Sequence, residues 1–172
     1  MIEEKTIKVY EYNDLNEKAK EKALNWFIEN NDYDFLSDRL EEDLKEFQLK
    51  DNKIKLSSEN NFKIYYSLGY SQGDGFCFTG YFKYKQYNVC VDKNNNQYNH
   101  KYTTDFYITT LNGNDAKEKV YEEFKEIYFK ICDQLEKIGY SYIEFEDSEE
   151  NFIEMSNAND FKFLKDGSFW NF

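Results

Sequence analysis

Apolar residues recur every three or four positions between residues 116 and 138, and this long stripe constrains the fold more than any other feature of the chain. The stripe consists of Ala116, Val120, Phe124, Ile127, Ile131, Leu135 and Ile138. Such spacing predicts one long amphipathic helix over about residues 115–138, with its apolar face packed against the rest of the protein. Gly139 follows directly, and because glycine is common just past helix ends, we expect the helix to stop there.

The N-terminal third of the chain predicts one strand followed by two helices. Alternation over residues 6–12 predicts the strand, and apolar residues at helical spacing predict a helix that begins near Leu15 after a cap at Asn13 or Asp14. A second helix is predicted after residues 30–32. Its apolar stripe consists of Leu36, Leu40, Leu44 and Phe47.

The centre of the chain has the period-two pattern of β-strands. A short strand is predicted at residues 54–56, a long one at 62–70, a partner strand at 76–84 and a further strand at 102–110. After the long helix, a short helix is predicted around residues 149–156. A closing hairpin is predicted around the Asp166-Gly167 turn.

These elements predict an α+β fold. We expect an antiparallel sheet of about four to six strands, with two N-terminal helices and one long helix from the C-terminal half packed on it. The chain has 172 residues and contains no internal repeat or linker, so residues 1–172 are predicted to form a single domain.

The charge of the chain limits its partners. It has 34 Asp and Glu against 22 Lys and Arg, a formal net charge of -12. Such a surface repels a phosphate backbone, so we expect no direct contact with nucleic acid. The charge fits solubility, a basic protein partner, or imitation of the charge of a nucleic acid.

The remaining composition predicts a cytoplasmic protein. The N-terminus lacks the apolar segment of a signal peptide, and no apolar run approaches the ~18 residues of a membrane span. Cys77, Cys90 and Cys132 are scattered and form no CxxC pair, which predicts reduced thiols.

The stretch from residue 70 to residue 76 is the main candidate binding site. It consists of Tyr70, Ser71, Gln72, Gly73, Asp74, Gly75 and Phe76. Glycine allows a tight turn and close approach of a ligand to the backbone, while Gln72 and Asp74 offer polar groups beside aromatic rings. The pattern suits a small polar ligand, a loop of a partner protein or a hard cation, but Gly and Asp are also the ordinary residues of hairpin turns.

The second predicted helix carries an acidic face. Asp38, Glu41 and Glu42 are spaced to lie on one side of it. This face predicts contact with a basic partner, a site for Mg²⁺ or Ca²⁺, or simple solvation.

No motif identifies a cofactor or a resident metal. The segment that begins at Asp92 resembles the start of an EF-hand loop, but Gln97 stands at the glycine position and Thr103 at the bidentate acid position. His100, the only histidine, is predicted to lie beside Tyr102 on a strand as a structural or surface group. Nucleotide-binding glycine motifs are absent from the sequence. The absence of a catalytic motif favours a role outside catalysis.

The chain resembles a widespread family of small phage and prophage proteins of unassigned function, some of which carry the automatic label "antitoxin". The resemblance is collinear over nearly the whole chain, and its specific part is the run from Tyr70 to Gly75 that continues through Cys77 to Gly80. Other matching pieces are Ile7 to Tyr12, Leu15, Ala19 to Ala23, Trp26-Phe27, His100 to Tyr102, Gln134 to Glu136, Phe161 to Phe163 and Asp166-Gly167. The family usually has paired tryptophans where this chain has Asp34-Phe35-Leu36.

The resemblance implies a phage origin, and with the acidic charge it predicts an interaction protein. The expected target is a host protein with a basic, nucleic-acid-binding surface, such as a CRISPR nuclease or another effector of anti-phage defence. The first alternative is a small-ligand-binding or metal-binding protein, or an enzyme, that uses Gln72 and Asp74. The second alternative is an antitoxin.

Overall fold

The structure of the protein is a computed structural model that describes residues 6–95 and 97–171. It confirms the α+β class. The chain divides into two compact units, which we call the terminal unit (up to Tyr33 and from Tyr142 onward) and the central unit (Asp34–Ser141). The expectation of a single domain over residues 1–172 stays a prediction.

The strands in the centre of the chain follow the predicted order, with one additional strand at Tyr87–Lys93 that the sequence pattern did not predict. The helices are α1 (Glu17–Glu29), α2 (Leu36–Asp43), α3 (Leu49–Asp51), α4 (Glu118–Glu146) and α5 (Glu149–Ala158). The strands are β1 (Ile54–Leu56), β2 (Lys63–Ser67), β3 (Gly75–Tyr84), β4 (Tyr87–Lys93), β5 (Thr104–Thr110), β6 (Lys162–Phe163) and β7 (Phe169–Trp170).

The central unit is built on an antiparallel sheet of five strands. Strands β3, β4 and β5 are neighbours in that order, while β2 pairs with the first half of β3 and β1 with its second half. One row across the sheet joins Phe82, Val89 and Ile108, all of which are buried. The next row joins Tyr81, Cys90 and Tyr107 on the opposite face, where both tyrosines are exposed.

Helix α4 closes the buried face of the sheet with aromatic rings. The Phe106 ring lies 5.8 Å from the ring of Phe124 and 4.9 Å from that of Tyr128, measured between centroids. Within this apolar layer the Tyr128 hydroxyl donates to the carbonyl of Phe78 at 2.7 Å and accepts from its N–H at 2.9 Å. Since β4 pairs with β3 only from Gly80 onward, the hydroxyl satisfies backbone groups that have no β4 partner.

The predicted stop of the long helix at Gly139 is wrong, because α4 continues to Glu146. Gly139 is buried inside the helix, and a methyl group at its position would collide with the side chain of Leu68 and lie 3.6 Å from that of Leu40. The glycine therefore permits close packing and does not end the helix.

The predicted apolar stripe of the second helix is correct at Leu36, Leu40 and Leu44 and wrong at Phe47, which is exposed. Residues Leu44–Gln48 form a π-helical turn, in which the N–H of Leu49 bonds the carbonyl of Leu44, five residues earlier. The wider turn rotates the following residues, so Leu49 enters the core in place of Phe47.

The terminal unit has its own aromatic core. Its buried residues are Tyr12, Leu15, Ala19, Ala23, Phe152 and Phe163. The rings of Trp26 and Phe169 stack beside this core with centroids 4.0 Å apart. The predicted helix near residue 149 and the closing hairpin are confirmed as α5 and the β6–β7 pair, whose connecting loop contains Gly167 at φ +86°.

Two N-terminal predictions are wrong. Residues 6–12 contain no strand, since only Tyr10 forms a bridge, with Phe163, before a 3-10 turn over Tyr12–Asp14. Helix α1 is capped by Asn16, whose side chain accepts from the Ala19 N–H at 3.0 Å, two residues beyond the later of the two predicted caps. The cap satisfies a backbone donor of the first helical turn, and either residue type would do so equally well.

Candidate functional site

The loop between β2 and β3 contains most of the predicted binding stretch. Strand β2 ends at Ser67 and β3 begins at Gly75, so the connection has seven residues and is longer than the predicted tight turn. Its positive φ belongs to Tyr70, at +55°, while neither Gly73 nor Gly75 has a positive φ. The left-handed residue in this loop is therefore a tyrosine, which is uncommon for a bulky side chain.

Asp74 organises this loop. Its carboxylate accepts from the N–H groups of Gly69 and Ser71, both at 2.9 Å, and from the hydroxyl of Ser71 at 3.0 Å. Ser67 and the Tyr140 hydroxyl of α4 also donate to it. The residue is only 8% exposed, so these donors replace the water that an exposed carboxylate would bind.

The hydrogen bonds also set the protonation of this pair. Burial alone would raise the pKa of Asp74, but the donors Tyr140, Ser71 and Gly69 stabilise the charged form and hold the pKa well below its usual range. Burial, with the hydrogen bond to Asp74, raises the pKa of Tyr140 to about 12. Near neutral pH the pair is therefore a carboxylate and a neutral phenol.

Tyr70 stands at the edge of the same loop. The residue is 67% exposed, its ring lies 4.7 Å from the ring of Tyr140, and its N–H donates to the Tyr140 hydroxyl at 3.3 Å. The strained backbone thus holds an aromatic side chain at the surface above the Asp74–Tyr140 hydrogen bond.

Gly75 brings a second segment, residues 97–103, against this loop. A Cβ atom on Gly75 would lie 2.8 Å from the imidazole of His100 and 2.9 Å from the carbonyl of Asn99, closer than real contacts allow. The Asn99 amide donates to the carbonyl of Tyr66 at 3.0 Å and so ties the segment to β2. The glycine is therefore required for a close approach within the protein itself.

His100 begins a 3-10 turn over Lys101–Thr103, so the prediction that it lies on a strand is wrong. Its Nδ1 atom accepts from the N–H of Tyr102 at 3.3 Å, and the Thr103 hydroxyl lies 2.7 Å from the His100 carbonyl. Because Nδ1 accepts, the neutral ring carries its hydrogen on Nε2, which makes Nε2–H a donor.

The two segments form a cleft of about 510 Å³. Its lining residues are Gln72, Gly73, Tyr98, His100, Tyr102 and Thr103. The lining is mainly apolar, and it contains no Asp, Glu, Lys or Arg. A cleft of this size falls within the range of small-molecule sites in proteins.

The rings of His100 and Tyr102, which form the aromatic wall of the cleft, are held in place by neighbouring side chains. The rings of His100 and Tyr102 stack with centroids 4.8 Å apart, and the Phe129 ring of α4 meets Tyr102 edge-on at 5.1 Å. The Lys101 ammonium lies 5.3 Å from the Tyr102 ring and is paired with the Asp133 carboxylate at 2.5 Å. Tyr102 nevertheless remains 67% exposed, so its ring is held in place and still accessible.

The predicted stretch from residue 70 to residue 76 divides into three parts in the structure. Gln72 and Gly73 line the cleft, Asp74 and Ser71 form the hydrogen-bonded loop behind it, and Phe76 is buried in the core. The role of these residues in binding stays a prediction. The carboxylate oxygens of Asp74 already accept hydrogen bonds from protein donors, which leaves little room for a cation. The described residues also contain no group of three or more His, Cys, Asp or Glu that could hold a metal ion.

The predicted acidic face of α2 lies on the surface of the central unit. Asp38, Glu41 and Glu42 share a shallow groove with Lys45 and Glu46. Lys45 pairs with Glu41 at 2.7 Å and with Glu59 at 2.6 Å, so this face is partly neutralised.

Sequence reasoning did not identify Tyr98, His100, Tyr102 and Thr103 as site residues. They lie 25–31 residues after Gln72 and Gly73, and no spacing rule connects the two segments. The signal available in the sequence was the pair of tyrosines, Tyr98 and Tyr102, on either side of the only histidine.

Comparisons with known proteins identify no relative. The family models show no match, and the searches of curated proteins and of solved structures also find none. The resemblance to the phage family therefore stays a prediction. No helix within residues 6–95 and 97–171 is both long and apolar enough to cross a membrane.

Proposed function

We propose that this chain is a phage-encoded interaction protein that binds directly to a basic, nucleic-acid-binding surface of a host protein and thereby inhibits it. A defence effector, of the CRISPR type or another nucleic-acid-binding kind, has such a surface. The proposal rests mainly on the distribution of charge between the two units.

The negative charge is concentrated in the terminal unit. Its described residues include 14 Asp and Glu against 6 Lys, whereas those of the central unit include 18 Asp and Glu against 15 Lys and Arg. Helix α5 contributes Glu150 and Glu154, both exposed and one helical turn apart. The terminal unit therefore supplies most of the net charge from little more than a third of the chain.

Such a surface favours a partner that normally binds phosphate. Exposed carboxylates attract a basic groove over about a Debye length, which is ~8 Å at physiological ionic strength. They accelerate association and disfavour partners of like charge more than they add to final affinity. Competition with the nucleic acid for the same groove would then produce inhibition without catalysis.

The test starts with a pull-down from a bacterial host lysate, with the tagged full chain as bait and mass spectrometry as readout. The captured protein is then purified, and its association with the chain is measured by surface plasmon resonance at low and physiological salt. We expect one near-stoichiometric partner whose association slows as salt increases. We also expect competition between the chain and nucleic acid for that partner.

Three double variants locate the surface, since each reverses two exposed glutamate or aspartate charges one helical turn apart. E150K/E154K on α5 is expected to weaken binding about tenfold, mostly through slower association. E122K/E126K on α4 is the matched control and should change affinity little. D38K/E42K tests the acidic face of α2, and a loss there alone would move the interface to the central unit. Equal affinity for all four proteins, with no salt dependence, would refute docking by charge.

A further inference from the structure

We propose that the cleft between the β2–β3 loop and residues 97–103 binds an uncharged purine ring, as a free base or a nucleoside. This inference is independent of the proposed docking, since it concerns the central unit and a neutral ligand. Its support is the chemistry of the six lining residues and the way in which their side chains are held.

The first argument concerns stacking. The stacked pair of His100 and Tyr102 presents an aromatic wall that is braced by Phe129 and by the ion-paired Lys101. Because the wall is already ordered, a planar ring can stack on it with little loss of side-chain entropy. Aromatic side chains that remain exposed although they are held in this way are typical platforms for nucleobases.

The second argument concerns the polar groups at the cleft. Gln72 is exposed, and within the described part of the chain no hydrogen bond engages its side-chain amide. A glutamine amide offers one donor and one acceptor side by side, which matches the N6 and N7 edge of adenine. His100 adds the Nε2–H donor, because its Nδ1 is already used by the Tyr102 N–H.

The third argument concerns charge. The lining contains no acidic or basic side chain, and the charge of nearby Lys101 is paired with that of Asp133. The Asp74 carboxylate behind the loop keeps its negative charge, since its donors are neutral groups. The described residues of the central unit include 18 Asp and Glu against 15 Lys and Arg, and this excess of negative charge also disfavours phosphate groups. The site therefore favours a neutral base or nucleoside over a nucleotide.

The fourth argument concerns size. The volume of about 510 Å³ accommodates a purine nucleoside, and the cleft is largely open to solvent, so a bound ligand would keep part of its surface exposed. For a ligand of ~20 heavy atoms at ordinary ligand efficiency, we expect a dissociation constant on the order of 0.1 mM. Binding of this strength is measurable by NMR titration.

The experiment is a titration of the full, 15N-labelled chain with adenosine, followed in amide spectra, with adenosine 5′-monophosphate as the charged comparison. We expect saturable shifts at Gly73, His100 and Tyr102, and weaker binding of the monophosphate. No saturable shift at millimolar adenosine would overturn the inference. Tighter binding of the monophosphate would overturn the assignment of a neutral ligand.

Binding measurements on three variants distinguish a specific adenosine site in the cleft from nonspecific stacking of adenosine on any exposed tyrosine. Tyr102→Ala is expected to weaken adenosine binding about 10- to 100-fold, and Gln72→Ala about fivefold through loss of the amide contacts. Tyr107→Ala is the matched control, since it removes a similarly exposed tyrosine from the open face of the sheet. Circular dichroism establishes that each variant is folded. Unchanged binding in folded Gln72→Ala and Tyr102→Ala proteins would refute the site, as would an equal loss in Tyr107→Ala.

Discussion

Replacement of Asp74 by asparagine tests whether this carboxylate holds the β2–β3 loop together. The two side chains have nearly the same volume, but asparagine carries one acceptor atom and turns an NH₂ group toward donors. In the native protein the carboxylate accepts from two N–H groups at 2.9 Å, from two serine hydroxyls and from Tyr140. A net hydrogen bond to a charged group contributes about 1.5–3 kcal/mol, and such contributions are not additive. We expect the free energy of unfolding to fall by about 2–4 kcal/mol, equivalent to one or two of these bonds.

A double-mutant cycle isolates the contact between Asp74 and Tyr140. Urea unfolding, followed by far-UV circular dichroism, is measured for wild type, Asp74→Asn, Tyr140→Phe and the double variant. We expect a coupling energy of about 1–3 kcal/mol, because the hydrogen bond joins a buried carboxylate to a phenol. Asp38→Asn is the control, since it changes an exposed carboxylate on α2. A coupling below ~0.5 kcal/mol, the usual error of additivity, would refute this account of the loop.

The same pair predicts how stability depends on pH. The pKa of Asp74 is lower in the folded protein than in the unfolded chain, so its contribution is present above about pH 4 and is lost as the pH falls further. The pKa of Tyr140 is raised to about 12, so the contribution of its neutral form is present below about pH 10 and is lost as the pH rises through 12. Asp74→Asn should show a smaller acid loss than wild type. Identical acid profiles for the two proteins would contradict the assignment.

Two further substitutions test the packing. Phe124→Ala should destabilise the protein by about 3–5 kcal/mol in the same urea assay, because this fully buried ring joins α4 to the sheet, and a loss under ~1 kcal/mol would contradict that packing. Gly75→Ala should cost about 1–3 kcal/mol, since its methyl group would meet the backbone of His100 and Asn99, and it should also displace the NMR signals of the cleft. Gly73→Ala is its matched control and should change stability by under ~0.5 kcal/mol, because its methyl group would meet nothing closer than 3.9 Å. Equal costs for the two glycine variants would show that the close approach at Gly75 is not needed.

The elements that could be predicted are those whose local pattern agrees with their packing. The apolar stripe through Phe124 and Ile131 predicts α4, and alternation predicts the strands that become β2 and β3. Periodicity and burial coincide in α4 at Phe124, Ile131 and Leu135 and in the second half of β3, whereas the first six residues of β3 are all buried. Helix α2 could be predicted for the same reason, since Leu36, Leu40 and Leu44 are buried at helical spacing. The polar loop before β3 could be predicted from its residue types.

The predictions failed where packing overrides local preference. Gly139 has the residue type of a helix end, yet the approach of Leu68 and Leu40 requires a residue without a side chain inside α4. Phe47 continues the apolar spacing, yet the π-helical turn leaves it exposed and buries Leu49 in the core. A strand at residues 6–12 would need a partner along its whole length, and the structure supplies only the bridge from Tyr10 to Phe163.

The sequence by itself determined the α+β class, the long helix and a polar, glycine-containing loop with a candidate site. Only the tertiary structure decided that Asp74 faces inward to hold that loop, and that Gln72 shares a cleft with His100 and Tyr102. The physical reason is that helices and strands follow from interactions between residues close in the chain. The cleft depends on the register of β3, β4 and β5 and on the approach of two backbones at Gly75, which join residues that are distant in the chain.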